Sequence, residues 1–134
     1  NLKKAIATYS DFEVRFPKNY FLPLVTMSKG KAQMQLGDYK DALASFERAY
    51  SMTWEGQPAF KSVWREAKWY AGRCHELMGN VDEAKRAYEL ASEQSTNQLW
   101  ADLAQFRLTR IFEEQNGPAA AKAEEKKPEV KKEG

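Results

Sequence analysis

The sequence predicts an all-α protein, a right-handed stack of antiparallel helical hairpins with about six helices. Three observations carry this expectation. Apolar residues recur at helical spacing in six successive segments, while strand signals are weak. Glycine and proline punctuate those segments, and the chain repeats itself at an interval of 42 residues. At 134 residues, 43% hydrophobic and 30% charged, the chain is long enough for one domain with a real core, which excludes a collagen-like or wholly disordered polymer.

The first helix is expected from about Leu2 to Phe16, closed by Pro17-Lys18-Asn19. A second begins near Tyr20, with Pro23 in its first turn where a missing N–H costs little, and ends at Leu36-Gly37-Asp38. The third runs from about Tyr39 to Met52. The fourth, unusually long, starts near Pro58 and ends at Met78-Gly79-Asn80. The fifth spans about Asp82 to Gln94, and the sixth about Gln98 to Gln115, stopped by Asn116-Gly117-Pro118. After Pro118 the composition shifts to Ala, Lys, Glu and Pro, so residues 118–134 read as a disordered, solvated tail.

Shifting the chain by 42 superposes Gly30 on Gly72, Ala32 on Cys74, Leu36 on Met78, Ala42 on Ala84, Phe46 on Tyr88 and Ala49 on Ala91. Physically, Gly30 and Gly72 allow the partner helix to approach closely, and Ala42 and Ala84 do the same from the opposite side. Phe46 and Tyr88 then fill the space between successive pairs, and Gly37 and Gly79 form the tight turns. The folded part is expected over 1–117, divided into a half repeat (1–19), repeats at 20–54 and 57–96, and a terminal helix (97–117).

At these positions the sequence resembles the tetratricopeptide repeat family. Gly30, Gly37-Asp38-Tyr39, Ala42, Phe46 and Ala49 match its small and large signature residues in one unit, and Gly72, Gly79, Ala84, Tyr88 and Ala91 in the next. Ala5, Tyr9 and Pro17 fit the second half of an earlier unit, with Phe12 where a small residue is usual. There are two further departures. The family repeats at about 34 residues, so 42 implies an insert at Thr53 to Ala59 and a longer helix, and Lys29 stands where a large apolar residue is usual. The runs Ala5-Ile6-Ala7-Thr8-Tyr9 to Arg15-Phe16-Pro17 and Ala101 to Leu108 look like bacterial cell-envelope members, including membrane-anchored periplasmic ones of the YfgM type. That likeness implies the periplasm or a membrane-anchored envelope site, with the cytoplasm as the alternative. Because Asn1 opens the chain within a helical unit, it reads as a processed form or a cut fragment.

Charge and chemistry narrow the function. Setting aside the five lysines and four glutamates after Pro118 leaves sixteen basic and fifteen acidic groups, no polyelectrolyte signal for nucleic acid or anionic lipid. Apolar runs are only a few residues long, so no segment inserts in a bilayer. One cysteine and one histidine exclude an intrachain disulfide and a Cys/His zinc cluster. Cys74 and His75 are helix neighbours pointing roughly 100° apart, so they form no nucleophile–base pair. Cys74 falls on the packing position of Ala32. Gly30-Lys31 lacks the glycine-rich run of a phosphate loop. The expectation is a protein that is not an enzyme and takes no cofactor or metal.

In the resembled family, the first helix of each unit lines a concave groove. Alignment carries those positions onto Leu24, Met27, Lys31, Met34 and Gln35, then Glu66, Trp69, Arg73, Glu76 and Leu77, with Arg107, Ile111 and Glu114 from the last helix. Of these, Met27, Lys31, Met34, Trp69, Arg73 and Arg107 are the expected partner-binding residues. Lys31 and Arg73 lie one repeat apart, so a basic ladder extended by Arg107 is expected to hold an acidic peptide over an adaptable floor of methionine and tryptophan. Charge reversal at Lys31, Arg73 and Arg107 is expected to leave helicity unchanged and abolish a partner interaction. The asparagines of the family's carboxylate clamp are absent, which excludes heat-shock chaperone tails. The four tryptophans, Trp54, Trp64, Trp69 and Trp100, read mainly as core or inter-repeat packing. The implied function is a scaffold or adaptor. The alternatives are a self-assembling module joined through its open end helices, or a regulatory fragment of a larger enzyme.

Overall fold

The computed structural model describes residues 1–53, 61–93 and 98–117. Six α-helices follow one another: α1 (Leu2–Arg15), α2 (Leu22–Gln35), α3 (Tyr39–Met52), α4 (Lys61–Leu77), α5 (Val81–Ser92) and α6 (Gln98–Asn116). There is no strand among the described residues. Trp54, the insert beyond Thr53, the expected start of the fourth helix near Pro58 and the tail 118–134 lie outside them.

Local chemistry explains the boundaries. The Asn1 side chain accepts the Lys4 amide at 2.9 Å and caps α1. Pro23 occupies the first turn of α2. The hairpin turns after α2 and α4 are twins. Gly37 and Gly79 adopt φ of 83° and 82°, which lets the Asp38 amide reach back to the Gln33 carbonyl and the Asn80 amide to that of His75. Only a residue without Cβ takes that conformation cheaply. A different device ends α5, where buried Arg65 of α4 donates to the carbonyls of Ala91 (3.1 Å) and Glu93 (2.6 Å). A cation thus meets the negative end of the helix dipole.

Each helix packs on its neighbours in sequence, and α2 also touches α4 as α4 touches α6, so the first helices of successive hairpins share a side. One core cluster joins Met27, Ala42, Phe46, Ala49, Val63, Ala67, Ala71 and Cys74. A second joins Ala84, Tyr88, Ala91, Ala104 and Ile111. The paired small and aromatic residues behave as their spacing predicts. A Cβ on Gly30 would lie 2.7 Å from the Phe46 ring, and one on Gly72 would lie 2.6 Å from that of Tyr88. Gly72→Ala should therefore destabilise the chain by about 1–2 kcal/mol, overpacking against the buried ring outweighing the gain in helix propensity. Chemical denaturation measures this, and a variant as stable as wild type would show that the ring can move aside.

Lys29, unusual for its position, has a reason. Its Nζ lies 2.7 Å from the carboxylate of Glu13, which is buried and also accepts the Thr26 hydroxyl at 2.8 Å. A charged pair therefore joins α1 to α2 where an apolar contact is usual. Burial opposes ionisation of Glu13, but the hydrogen bonds from Lys29 and Thr26 and the charges of Lys29 and Arg48 outweigh it and hold its pKa below 4.5.

Candidate functional site

The side shared by α2, α4 and α6 collects the aromatic and charged groups. Tyr70 of α4 stacks on Phe46 with ring centroids 5.0 Å apart, which fixes its ring between core and surface. Lys31 of α2 reaches across to pair with Glu66 of α4 and sets its ammonium 5.2 Å from the Tyr70 centroid. Beside this pair lies a depression of about 340 Å³, lined by Lys31, Met34, Gln35, Tyr39, Tyr70 and Leu77. Leu77 is 41% exposed, so the depression has an apolar wall open to solvent.

Further along, Glu76 is the hub of the α4–α6 contact. It accepts the Tyr88 hydroxyl at 2.7 Å and a two-pronged contact from Arg107, whose Nε lies at 2.9 Å, and it also pairs with Arg73 at 3.3 Å. Desolvation raises the pKa of Glu76, yet the bonds from Arg107 and Tyr88 and the two positive charges together bring it below 4.5. Burial, reinforced by the Glu76 carboxylate, pushes the Tyr88 phenol far upward.

The six expected binding residues separate under this geometry. Lys31 and Met34 line the depression. Met27 does not reach the surface; at 3% exposure it belongs to the first core cluster, because its side chain turns inward against α3 and α4. Trp69 is half-buried, edge-on to Tyr70 at 5.0 Å and 5.6 Å from Trp100, and packs against the second cluster with its indole N–H enclosed. Arg73 and Arg107 share Glu76, whereas Lys31 uses Glu66. The expected ladder is therefore internally neutralised. Charge reversal at Arg107 would place a second carboxylate against Glu76, and so would perturb stability as well as any binding.

Glu66, Tyr70, Tyr39 and Leu77 complete the site without standing among the expected six. Glu66 and Leu77 lay on the aligned inner face, but an alignment that compares like with like gave no sign of the Lys31–Glu66 pairing. Cys74 is fully buried, and burial pushes its thiol up to about 11, which suits packing and not nucleophilic work. His75 departs from the repeat. Its counterpart Gln33 accepts the Ser45 hydroxyl at 2.6 Å, whereas Ala87 stands in the place of Ser45 and the buried Nδ1 of His75 has no partner. Among the described residues, no group of acidic, histidine and cysteine side chains is placed to hold a metal ion, and no helix is long and apolar enough to cross a membrane.

Successive antiparallel hairpins, each closed by a left-handed glycine and each seating an aromatic ring on a helical glycine, define a helical-repeat protein. Family models of the tetratricopeptide repeat match residues 27–53 and 66–94, so the chain carries two tetratricopeptide repeats. The first match covers most of α2 with α3, the second most of α4 with α5. No curated protein and no solved structure matches the chain. Repeats of this family are interaction modules, generally non-catalytic scaffolds for protein partners.

Proposed function

We propose that the chain is an adaptor that binds a protein partner through the depression between α2 and α4, in a bacterial envelope assembly. The observation that carries this reading is the depression itself, where Met34, Tyr39, Tyr70 and Leu77 offer an apolar seat beside the ammonium of Lys31. A partner side chain of leucine or phenylalanine size suits the seat, and a neighbouring acidic group would compete with Glu66 for Lys31. Trp69, Arg73 and Arg107 hold the wall between α4 and α6 in place. The envelope part of the reading is supported by the likeness of the first and last helices to envelope members of the family.

The double variant Lys31→Gln/Leu77→Asp tests the site. Both positions are 41% exposed, and glutamine at 31 keeps a hydrogen-bond donor for Glu66 without setting a second carboxylate against it. The variant should melt within a few degrees of wild type while capturing the wild-type partner at least tenfold less well from lysate of the source cell. Equal capture by the two proteins would remove the depression from the function. Fractionation of that cell tests the envelope assignment, which recovery in the cytoplasm alone would overturn.

A further inference from the structure

The outward side of α6 carries a pattern that the other helices lack. Ala101, Ala104 and Ile111 are buried on its inner side, while Leu99 and Phe106 are 61% and 59% exposed and Leu103 is half-buried. In the register that places Arg107 with Lys31 and Arg73, Phe106 takes the position of Gly30 and Gly72. A ring thus stands where the repeats require the absence of a Cβ, so this side is not shaped for a hairpin partner like α3 or α5. Residues 118–134 contribute one large apolar residue, Val130, too little to cover it.

At 100° per residue, Leu99, Asp102, Leu103, Phe106, Thr109, Arg110 and Glu113 fall on one stripe of α6. Two of the three charges on that stripe are placed symmetrically in sequence, Asp102 four residues before Phe106 and Arg110 four residues after it, while Glu113 has Leu99 as its counterpart. We propose that this stripe joins two copies of the chain, α6 against α6 and antiparallel, about a two-fold axis at Phe106. Each residue then faces the one equally distant from Phe106 in the second copy. The two phenylalanine rings meet at the axis, Leu103 meets Thr109, Asp102 meets Arg110 twice, once on each side, and at the ends of the seam Leu99 lies along the aliphatic stem of Glu113.

The charged groups are available for this. Among the described residues, exposed Asp102 accepts only the exposed Gln98 amide at 2.8 Å in its side-chain contacts, and Arg110 makes an exposed contact to Glu113 at 3.3 Å. The central part of the stripe, from Asp102 to Arg110, carries opposite charges at its two ends and a ring at its middle, as a two-fold interface requires. A seam one helix wide falls below the roughly 800 Å² per partner of a stable complex, so the dimer is weak and concentration-dependent. The seam leaves the depression between α2 and α4 open in both copies, and two linked seats bind a multivalent partner more tightly than one.

Sedimentation equilibrium on the whole chain tests the arrangement. Wild type should move from the mass of one chain to that of two as concentration rises. Asp102→Arg alone sets Arg against Arg on both sides, Arg110→Asp alone sets Asp against Asp, and each should remain monomeric with an unchanged circular dichroism spectrum. Mixed in equal amounts, the two variants restore both opposite-charge contacts and should regain the dimer mass, whereas Phe106→Glu should lose it in every mixture. The proposal is overturned by a wild type that stays monomeric, by single variants that dimerise as wild type does, by a mixture no heavier than its components, or by growth beyond two chains.

Discussion

Phe46→Ala is expected to lower the unfolding free energy by about 3–5 kcal/mol. The ring is fully buried, rests on Gly30 of its own hairpin and stacks on Tyr70 of the next. It therefore ties α2, α3 and α4 together. A glycine beneath the ring has no side chain to swing into the vacated space, so the cavity should collapse poorly and the loss should lie toward the upper end of the range. Guanidinium unfolding followed by circular dichroism reads the change directly. A loss under about 1 kcal/mol would contradict the packing role given to this ring, since even Ile→Val changes in a core reach that size.

Glu76→Ala should cost about 2–4 kcal/mol at neutral pH. Removing one member of a partly buried ion pair leaves the others uncompensated, here Arg107 and Arg73 without their carboxylate and the buried Tyr88 hydroxyl without its acceptor. A pH dependence accompanies it. The pKa of Glu76 is lowered in the folded state from an ordinary 4.5, so the unfolded chain binds the proton more readily. The stabilisation is present above 4.5 and is lost as pH falls through the lower folded value. Glu13, lowered in the same sense, adds to that acid loss. Unfolding curves collected from neutral pH down to about 3 should show wild type falling steeply below 4.5, and Glu76→Gln starting lower and falling less. Parallel curves for the two proteins would show that Glu76 is not coupled to folding.

Much of the architecture is legible in the order of residues because it rests on local physics. A 3.6-residue apolar period with glycine or proline at its ends sets where α1, α2, α3, α5 and α6 run, to within about two residues. The 42-residue self-similarity further pairs each helical glycine with the aromatic residue that packs on it, Gly30 with Phe46 and Gly72 with Tyr88. The same alignment marks Cys74 as a packing residue despite its provocative neighbours.

Charge pairing is different, because it depends on distances between side chains on separate helices. Superposing repeats compares Lys31 with Arg73 and makes them a ladder, but in space Lys31 meets Glu66 of the next hairpin, and Arg107 closes on Glu76, the carboxylate one turn along α4 from Arg73. Met27 shows the companion limit, since a rotation of a few tens of degrees about the helix axis separates the groove from the core and a periodic pattern does not resolve it. The sequence by itself determined the helices, their turns and the repeat that stacks them, since a φ-positive glycine, an N-terminal proline and an apolar period act within a few residues. Only the tertiary structure decided which side chains are buried on the shared side and which carboxylates neutralise Lys31 and Arg107, because those outcomes depend on how helices some 30 residues apart are brought together.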